Sequence, residues 1–161
     1  MIKDQIDEPE VSDIPAAKKS SMLVRLLYAS RIIDVSPSAI EAILAKSRAN
    51  NTACGITGIL CHGQDVFLQA LEGGRSTVNE LYGRIQRDPR HKEITLLHFE
   101  EIEERLFGGW TMGQVNLTKA HLATLLRFSA RPKLDPCAVS SKVSLALLRE
   151  LVQTAAVGMR G

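Results

Sequence analysis

Two hydrophobic periods alternate along this chain, and their order limits its fold more than any other feature. Strand-like alternation of apolar residues occurs in five segments: 22–30, 55–61, 67–73, 93–100 and 110–117. Helical spacing occurs in two segments between them: 36–51 and 76–88. This β-α-β-β-α-β-β order predicts a ferredoxin-like α+β fold, with a five-stranded mixed sheet and both helices on one face.

Local capping signals predict where the two helices begin and end. Ser36-Pro37 suits the N-cap and first residue of the first helix, which should end near Asn50 or Asn51. Ser76 or Thr77 is the predicted cap of the second helix, because Thr77 and Glu80 have capping-box spacing.

The chain changes character after residue 117. Two further helices are predicted over 121–128 and 139–156, with proline residues between them. We expect them to cover the second face of the sheet, where Leu27 would otherwise be exposed. The alternative is that their apolar stripe binds a partner or a second copy of the chain.

Composition excludes several classes of protein. The net charge of +2 gives no overall field for nucleic acid, and no apolar run approaches the roughly 20 residues that span a bilayer. The three cysteines and four histidines have neither disulfide nor metal-ligand spacing, so we expect a cytoplasmic protein without a metal site. Residues 1–20 are polar and acidic and are predicted to form a flexible leader.

Four polar side chains are predicted to share one apolar layer. They are Tyr28 and Gln69 on two strands, and Ser47 and Asn51 at the end of the first helix. An amide such as Gln69 must find partners for its oxygen and its N–H groups, which a nearby backbone group could also supply. Convergence of all four favours a binding site for a planar, neutral, amide-bearing ring, without a general base near neutral pH.

Several short motifs occur together in this region. They are Leu26-Leu27-Tyr28-Ala29-Ser30, Asn51 followed by Ile56-Thr57-Gly58, Phe67-Leu68-Gln69-Ala70-Leu71-Glu72-Gly73, Arg87-Asp88-Pro89-Arg90-His91 and Trp110-Thr111-Met112. In this order and spacing, residues 22–117 resemble the BLUF domain, a blue-light sensor that uses FAD. The resemblance implies the same ferredoxin-like fold, with the flavin ring between the two helices.

The resemblance also implies roles at the ring. Tyr28 would donate an electron and a proton to the excited flavin, and the amide of Gln69 would rearrange between Tyr28 and the flavin. Asn51 would hold a flavin carbonyl and ring N–H, and Ile43 and Ile85 would pack on the two sides of the ring.

Other residues acquire roles outside the ring. Arg90 and His91 would lie where the ribityl and phosphate part leaves the pocket, with FAD expected and FMN or riboflavin as alternatives. Trp110 and Met112 would transmit the signal through the last strand.

Together these features predict a blue-light photoreceptor rather than an enzyme. Its parts would be a leader over 1–20, a flavin-binding domain over 21–117 and a helical extension over 118–161 that is too short for an effector enzyme. We expect it to form a homo-oligomer and to signal to a partner protein, without nucleic acid or membrane. A flavin-dependent redox enzyme and a flavin-free interaction module are the alternatives.

Overall fold

The computed structural model describes residues 21–34 and 36–154. The predicted leader and the end of the predicted last helix lie outside the described residues. The elements follow in this order: β1 (Leu23–Ile32), α1 (Pro37–Cys54), β2 (Thr57–Gly63), β3 (Val66–Gly74), α2 (Arg75–Arg87), β4 (His91–Glu101), β5 (Gly113–Asn116), α3 (Leu122–Phe128) and α4 (Ser141–Thr154). Short 3-10 turns at Lys119–His121 and Pro136–Ala138 precede α3 and α4.

The strands form one five-stranded sheet in the order β4-β1-β3-β2-β5. β5 is parallel to β2, and the other neighbours are antiparallel. This confirms the predicted mixed, ferredoxin-like sheet. The pairing of β1 with β3 sets Tyr28 directly opposite Gln69.

Each face of the sheet buries its own apolar core, as the alternation predicted. The first core lies under α1 and α2 and contains Val24, Leu26, Tyr28, Leu44, Leu71 and Val78. The second core lies under α3 and α4 and contains Leu27, Ile59, Leu68, Leu125, Leu148 and Leu151. The C-terminal helices therefore cover the second face, as expected.

The first helix is longer than predicted. Ser36 is its N-cap, as expected, but α1 continues past Asn51 to Cys54. Gly55 ends it in the left-handed region at φ 69°, where its N–H donates to the Asn51 carbonyl. β2 consequently begins at Thr57 and continues to Gly63, rather than occupying 55–61.

The predicted side-chain cap of α2 is wrong. The helix begins at Arg75, Gly74 is its N-cap, and neither Ser76 nor Thr77 caps it. The Arg75 N–H donates instead to the Met22 carbonyl at 2.8 Å. β3 thus runs directly into α2, and the residue just before the neighbouring strand β1 supplies the acceptor for the first N–H of the helix.

The last strand is shorter than predicted. β5 spans Gly113–Asn116, so Trp110 and Met112 lie before it, in a segment we call the linker (110–112). The two side chains do not share a face, although alternation along a strand over 110–117 would place them on the same one. Met112 is buried in the first core, and Trp110 packs against the second.

A buried carboxylate holds the chain that leads to the linker. Glu72 accepts the N–H groups of Leu106 at 3.0 Å and Phe107 at 2.6 Å, and it pairs with Arg25 at 2.7 Å. A buried carboxylate is tolerated when a cation and several donors satisfy it. This network fixes the approach to Trp110.

Candidate functional site

A cavity of about 520 Å³ lies between α1, α2 and the sheet. Its apolar walls include Ile43 from α1 and Ile85 from α2, with Leu60 and Phe67 from the sheet. Its polar lining consists of Tyr28, Lys46, Ser47, Asn50, Gln69, Arg84, Arg87, Asp88, Arg90 and His91. Apolar walls with a polar edge suit a planar organic ring.

Tyr28 and Gln69 form a buried hydrogen bond at the polar edge. The Tyr28 hydroxyl donates to Gln69 Oε1, across the register that pairs β1 with β3. Burial raises the pKa of the Tyr28 phenol well above its usual range, and Tyr82 and Asp88 add smaller contributions. Tyr28 is therefore a protonated hydrogen-bond donor at neutral pH.

The other end of the Gln69 amide reaches the linker. Gln69 Nε2 donates to the thioether sulfur of Met112 at 3.1 Å. Sulfur is a weak acceptor, so this N–H group is held less firmly than the Gln69 carbonyl. An acceptor at the cavity edge could compete for it.

Ser47 and Asn51 each donate a side-chain hydrogen bond to a backbone carbonyl of the protein. The Ser47 hydroxyl donates to the Ile43 carbonyl at 2.9 Å, and its side chain lines the cavity. Asn51 is buried, and its Nδ2 donates to the Thr111 carbonyl at 2.6 Å. Asn51 is not among the lining residues, so its contact with a ring stays a prediction.

His91 forms part of the cavity wall beside Tyr28. Its Nδ1 lies 2.9 Å from the Ser30 hydroxyl, and its ring meets those of Tyr28 and Phe67 edge-on. Burial lowers the pKa of His91, against an opposing contribution from Asp88. A neutral imidazole is therefore favoured here.

The mouth of the cavity is cationic. Arg90 pairs with Asp88 at 2.5 Å, and this hydrogen bond lowers the pKa of Asp88 to about 2. The other three cations, Lys46, Arg84 and Arg87, make no ion pair with another described residue. Arginine and lysine with free hydrogen-bonding capacity suit a phosphate group.

Most of the residues predicted to bind a cofactor line this cavity, but other lining residues were not predicted. Seven of the eight predicted cofactor-binding residues line the cavity, and Asn51 is the exception. Asn50, Lys46, Arg84 and Arg87 were missed. Helical spacing was a signal for Lys46 and Asn50, because they follow Ile43 at three and seven residues. Arg84 and Arg87 lie one and two residues from Ile85, so helical spacing from Ile85 did not indicate them.

Within residues 21–34 and 36–154, no group of three or more potential ligand side chains could hold a metal ion. Over the same residues, no helix has both the length and the apolar character needed to cross a bilayer.

The sequence of this α+β domain matches a known family. The model of the BLUF family, described as sensors of blue-light using FAD, matches residues 23–113. The chain therefore belongs to the BLUF family, as its motifs indicated.

Related proteins and structures agree with this assignment. The photoactivated adenylate cyclase subunit beta of Euglena gracilis is 34% identical over 111 residues, which are 68% of this chain and 13% of that protein. The chain thus matches only about an eighth of the length of this relative.

Two solved structures share the fold. The photo-activated state of BlsA has a TM-score of 0.77 and 29% identity, covering 86% of this chain and 100% of that chain. The dark state of BlrB, described as a BLUF protein, has a TM-score of 0.70 and 34% identity, covering 85% of this chain and 99% of that chain.

Proposed function

We propose that this protein is a blue-light photoreceptor whose response begins at the Tyr28–Gln69 hydrogen bond. That bond, buried at the edge of a ring-sized cavity, is the observation that carries the proposal. A bound flavin would supply the light-absorbing, oxidising group. The protein would act as a sensor, not as an enzyme.

The cavity chemistry fits a flavin. Ile43 and Ile85 would pack on the two sides of the ring, while Tyr28, Ser47 and Gln69 would face its polar edge. We propose that Asn51, which is buried and outside the lining, also reaches that edge. The one carboxylate among the described lining residues, Asp88, is paired with Arg90 at the mouth. FAD is the proposed cofactor.

The cations at the mouth favour a flavin with phosphate groups. Lys46, Arg84 and Arg87 would hold the phosphates, together with the two residues from the sequence motif, Arg90 and His91. Arg84 and Arg87 also lie in the last turn of α2, where cations complement the helix dipole.

Tyr28 and Gln69 have complementary roles in the response. Tyr28 would give up an electron to the excited flavin, and its proton would leave along the hydrogen bond to Gln69 Oε1, with the Gln69 amide relaying a proton to the flavin. The Gln69 amide can then be satisfied in a second arrangement, because it carries both an acceptor and two donors. A carboxylate would lack the donors and could not invert in this way.

The output would pass through the linker to a partner. Met112 touches Gln69, and Trp110 packs against the core beneath α3 and α4. We therefore propose that the linker and C-terminal helices carry the change to a downstream protein, or to a second copy of the chain. The free cysteines Cys54, Cys61 and Cys137 suit a cytoplasmic location.

The absorption spectrum of the purified protein tests the proposed function. We expect flavin bands that shift slightly to the red under blue light and recover in the dark. Flavin that is instead bleached by NAD(P)H without this shift would indicate a redox enzyme. A protein that binds no flavin would contradict both readings and indicate an interaction module.

The dependence of binding on salt tests the choice of cofactor. FAD affinity should fall between about 0.05 and about 0.5 M salt, because the salt screens its contacts with the mouth cations. Riboflavin, which has no phosphate, is the matched control and should be nearly insensitive. Lys46→Gln with Arg87→Gln should weaken FAD alone, and equal effects on both ligands would contradict the phosphate site.

A further inference from the structure

The linker is held by its backbone as well as by its side chains. The carbonyl of Trp110 accepts from the Gly58 N–H at 3.0 Å, and that of Thr111 accepts from Asn51 Nδ2 at 2.6 Å. The carbonyl of Met112 accepts from Arg48 Nε at 3.2 Å. Three consecutive carbonyls are therefore fixed by three different donors.

Two of these donors come from one face of α1. Arg48 and Asn51 are three residues apart, so their side chains lie side by side over the linker. Arg48 is well placed for this contact, since only 14% of its side chain is exposed. Its guanidinium also lies 3.5 Å from Glu41, whose side chain is 63% exposed, and exposed pairs of this kind contribute little.

Met112 consequently connects two parts of the molecule. Its sulfur accepts from Gln69, and its carbonyl accepts from Arg48. A change in the orientation of the Gln69 amide removes the first contact but leaves the second in place. The Arg48 bond therefore resists movement of the linker when the contact with Gln69 is lost.

We propose that Arg48 is a positioning residue that holds the linker in its dark arrangement and sets how far it moves in the light. The inference rests on the photoreceptor function proposed above. Arg48 is not among the residues that line the cavity, and within the described residues no hydrogen bond or ion pair joins it to Tyr28 or Gln69. It acts on the output and not on the photochemistry.

The physical reason is a balance between two arrangements of the linker, held and released. A hydrogen bond present in only one arrangement favours that arrangement. Removing the Arg48 bond should therefore raise the released population in the dark by about tenfold, since charge-assisted bonds are among the stronger ones. Blue light should then cause a smaller further increase in the released population.

Trp110 reports on this balance, because it is the only tryptophan in the sequence. The measurement is acrylamide quenching of Trp110 fluorescence in the flavin-loaded full chain, in the dark and under blue light. In the parent, light should increase quenching. In Arg48→Met, which keeps the apolar stem, dark quenching should rise about twofold toward the lit value, while the red shift of the flavin remains.

Two further variants sharpen the test. Arg48→Gln keeps a polar group but falls short of the Met112 carbonyl, so it should behave like Arg48→Met. Glu41→Gln removes the ion pair without touching the linker and should behave like the parent. Thermal melting of each variant identifies any that does not fold.

The outcomes separate this inference from the proposed function. A normal red shift with parent-like quenching in both Arg48 variants would overturn the role of Arg48. It would also be overturned if Glu41→Gln raised dark quenching as much as the Arg48 variants do. A red shift without any change at Trp110 in the parent would also overturn it. A parent with no red shift would instead overturn the photoreceptor function, and the coupling with it.

Discussion

Tyr28 and Gln69 are polar residues in an apolar layer, and each satisfies the other. Without a partner, either buried group would cost about 1–3 kcal/mol. The antiparallel register of β1 and β3 puts the two side chains opposite each other on the first-core face. The same register therefore stabilises the fold and forms the hydrogen bond on which the proposed light response depends.

His91 should make the stability of the fold depend on pH. Because burial lowers the pKa of His91, the folded state favours the neutral ring. This contribution to stability is present above the unfolded pKa of about 6.5 and is lost as pH falls through the lower folded pKa. We expect the melting temperature to fall more steeply below about pH 6.5 in the parent than in His91→Gln.

All other titratable groups are the same in the parent and in His91→Gln, so their effect on the melting temperature is common to both proteins. The difference between their melting temperatures isolates His91. Parallel curves for the two proteins from pH 8 to about pH 5 would contradict a buried, neutral His91.

At the scale of the elements, β2 and β3 approach unusually closely at Gly58. A Cβ added to Gly58 would lie 2.1 Å from the Ala70 carbonyl oxygen and 3.2 Å from Met112 Cε. Gly58→Ala should therefore lower the free energy of unfolding by about 1–3 kcal/mol, measured by urea denaturation.

Gly83 provides the matched control for this substitution. It lies inside α2, where an added Cβ would lie 3.5 Å from the flexible side chain of Arg87. Gly83→Ala should raise the free energy of unfolding by about 0.5–1 kcal/mol, because glycine weakens a helix interior. Similar effects from the two substitutions would show that the close approach at Gly58 is not a constraint.

The sequence predicted the secondary-structure elements and their buried faces well, because the spacing of apolar side chains along the chain determines both. It failed where a group distant in the sequence decided the outcome. The cap of α2 was missed because the Met22 carbonyl, not a local hydroxyl, accepts the Arg75 N–H. The linker was predicted as strand because alternation along 110–117 cannot show that side chains of α1 hold two of its carbonyls.

The same reasoning explains what was missed in the candidate site. Tyr28 and Gln69 could be predicted because a polar residue on an apolar strand face is conspicuous. Lys46, Arg84 and Arg87 were not singled out, since a cation on a helix is ordinarily on a solvated face and helical spacing alone does not distinguish it. Only the packing of α1 beside α2 gathers these cations at one mouth.

At the scale of the whole molecule, the C-terminal helices complete the fold. Leu148 is fully buried in the second core, against the sheet. Leu148→Ala should therefore lower the free energy of unfolding by about 2–5 kcal/mol. If the helical extension did not pack against the sheet, this substitution would change the free energy of unfolding little.

Leu126 on α3 is the control, because 53% of it is exposed. Leu126→Ala should change the free energy of unfolding by no more than about 0.5 kcal/mol in urea denaturation. Equal losses from both leucines, or none from Leu148→Ala, would contradict the role given to the second core.

The linker joins the two cores of the molecule. Met112 belongs to the core beside the cavity, and Trp110 packs against the core beneath α3 and α4. A change at Gln69 can thus pass from one face of the sheet to the other within three residues. This arrangement explains how a buried cavity could affect a surface formed by the C-terminal helices.

The central claim is that the Tyr28–Gln69 pair produces the light response, and the light-minus-dark absorption spectrum tests it most directly. The parent should show a red-shifted flavin state that recovers in the dark. Tyr28→Phe removes the donor and Gln69→Leu removes the amide, so both should bind flavin but show no red-shifted state. A normal photocycle in either variant would contradict the account.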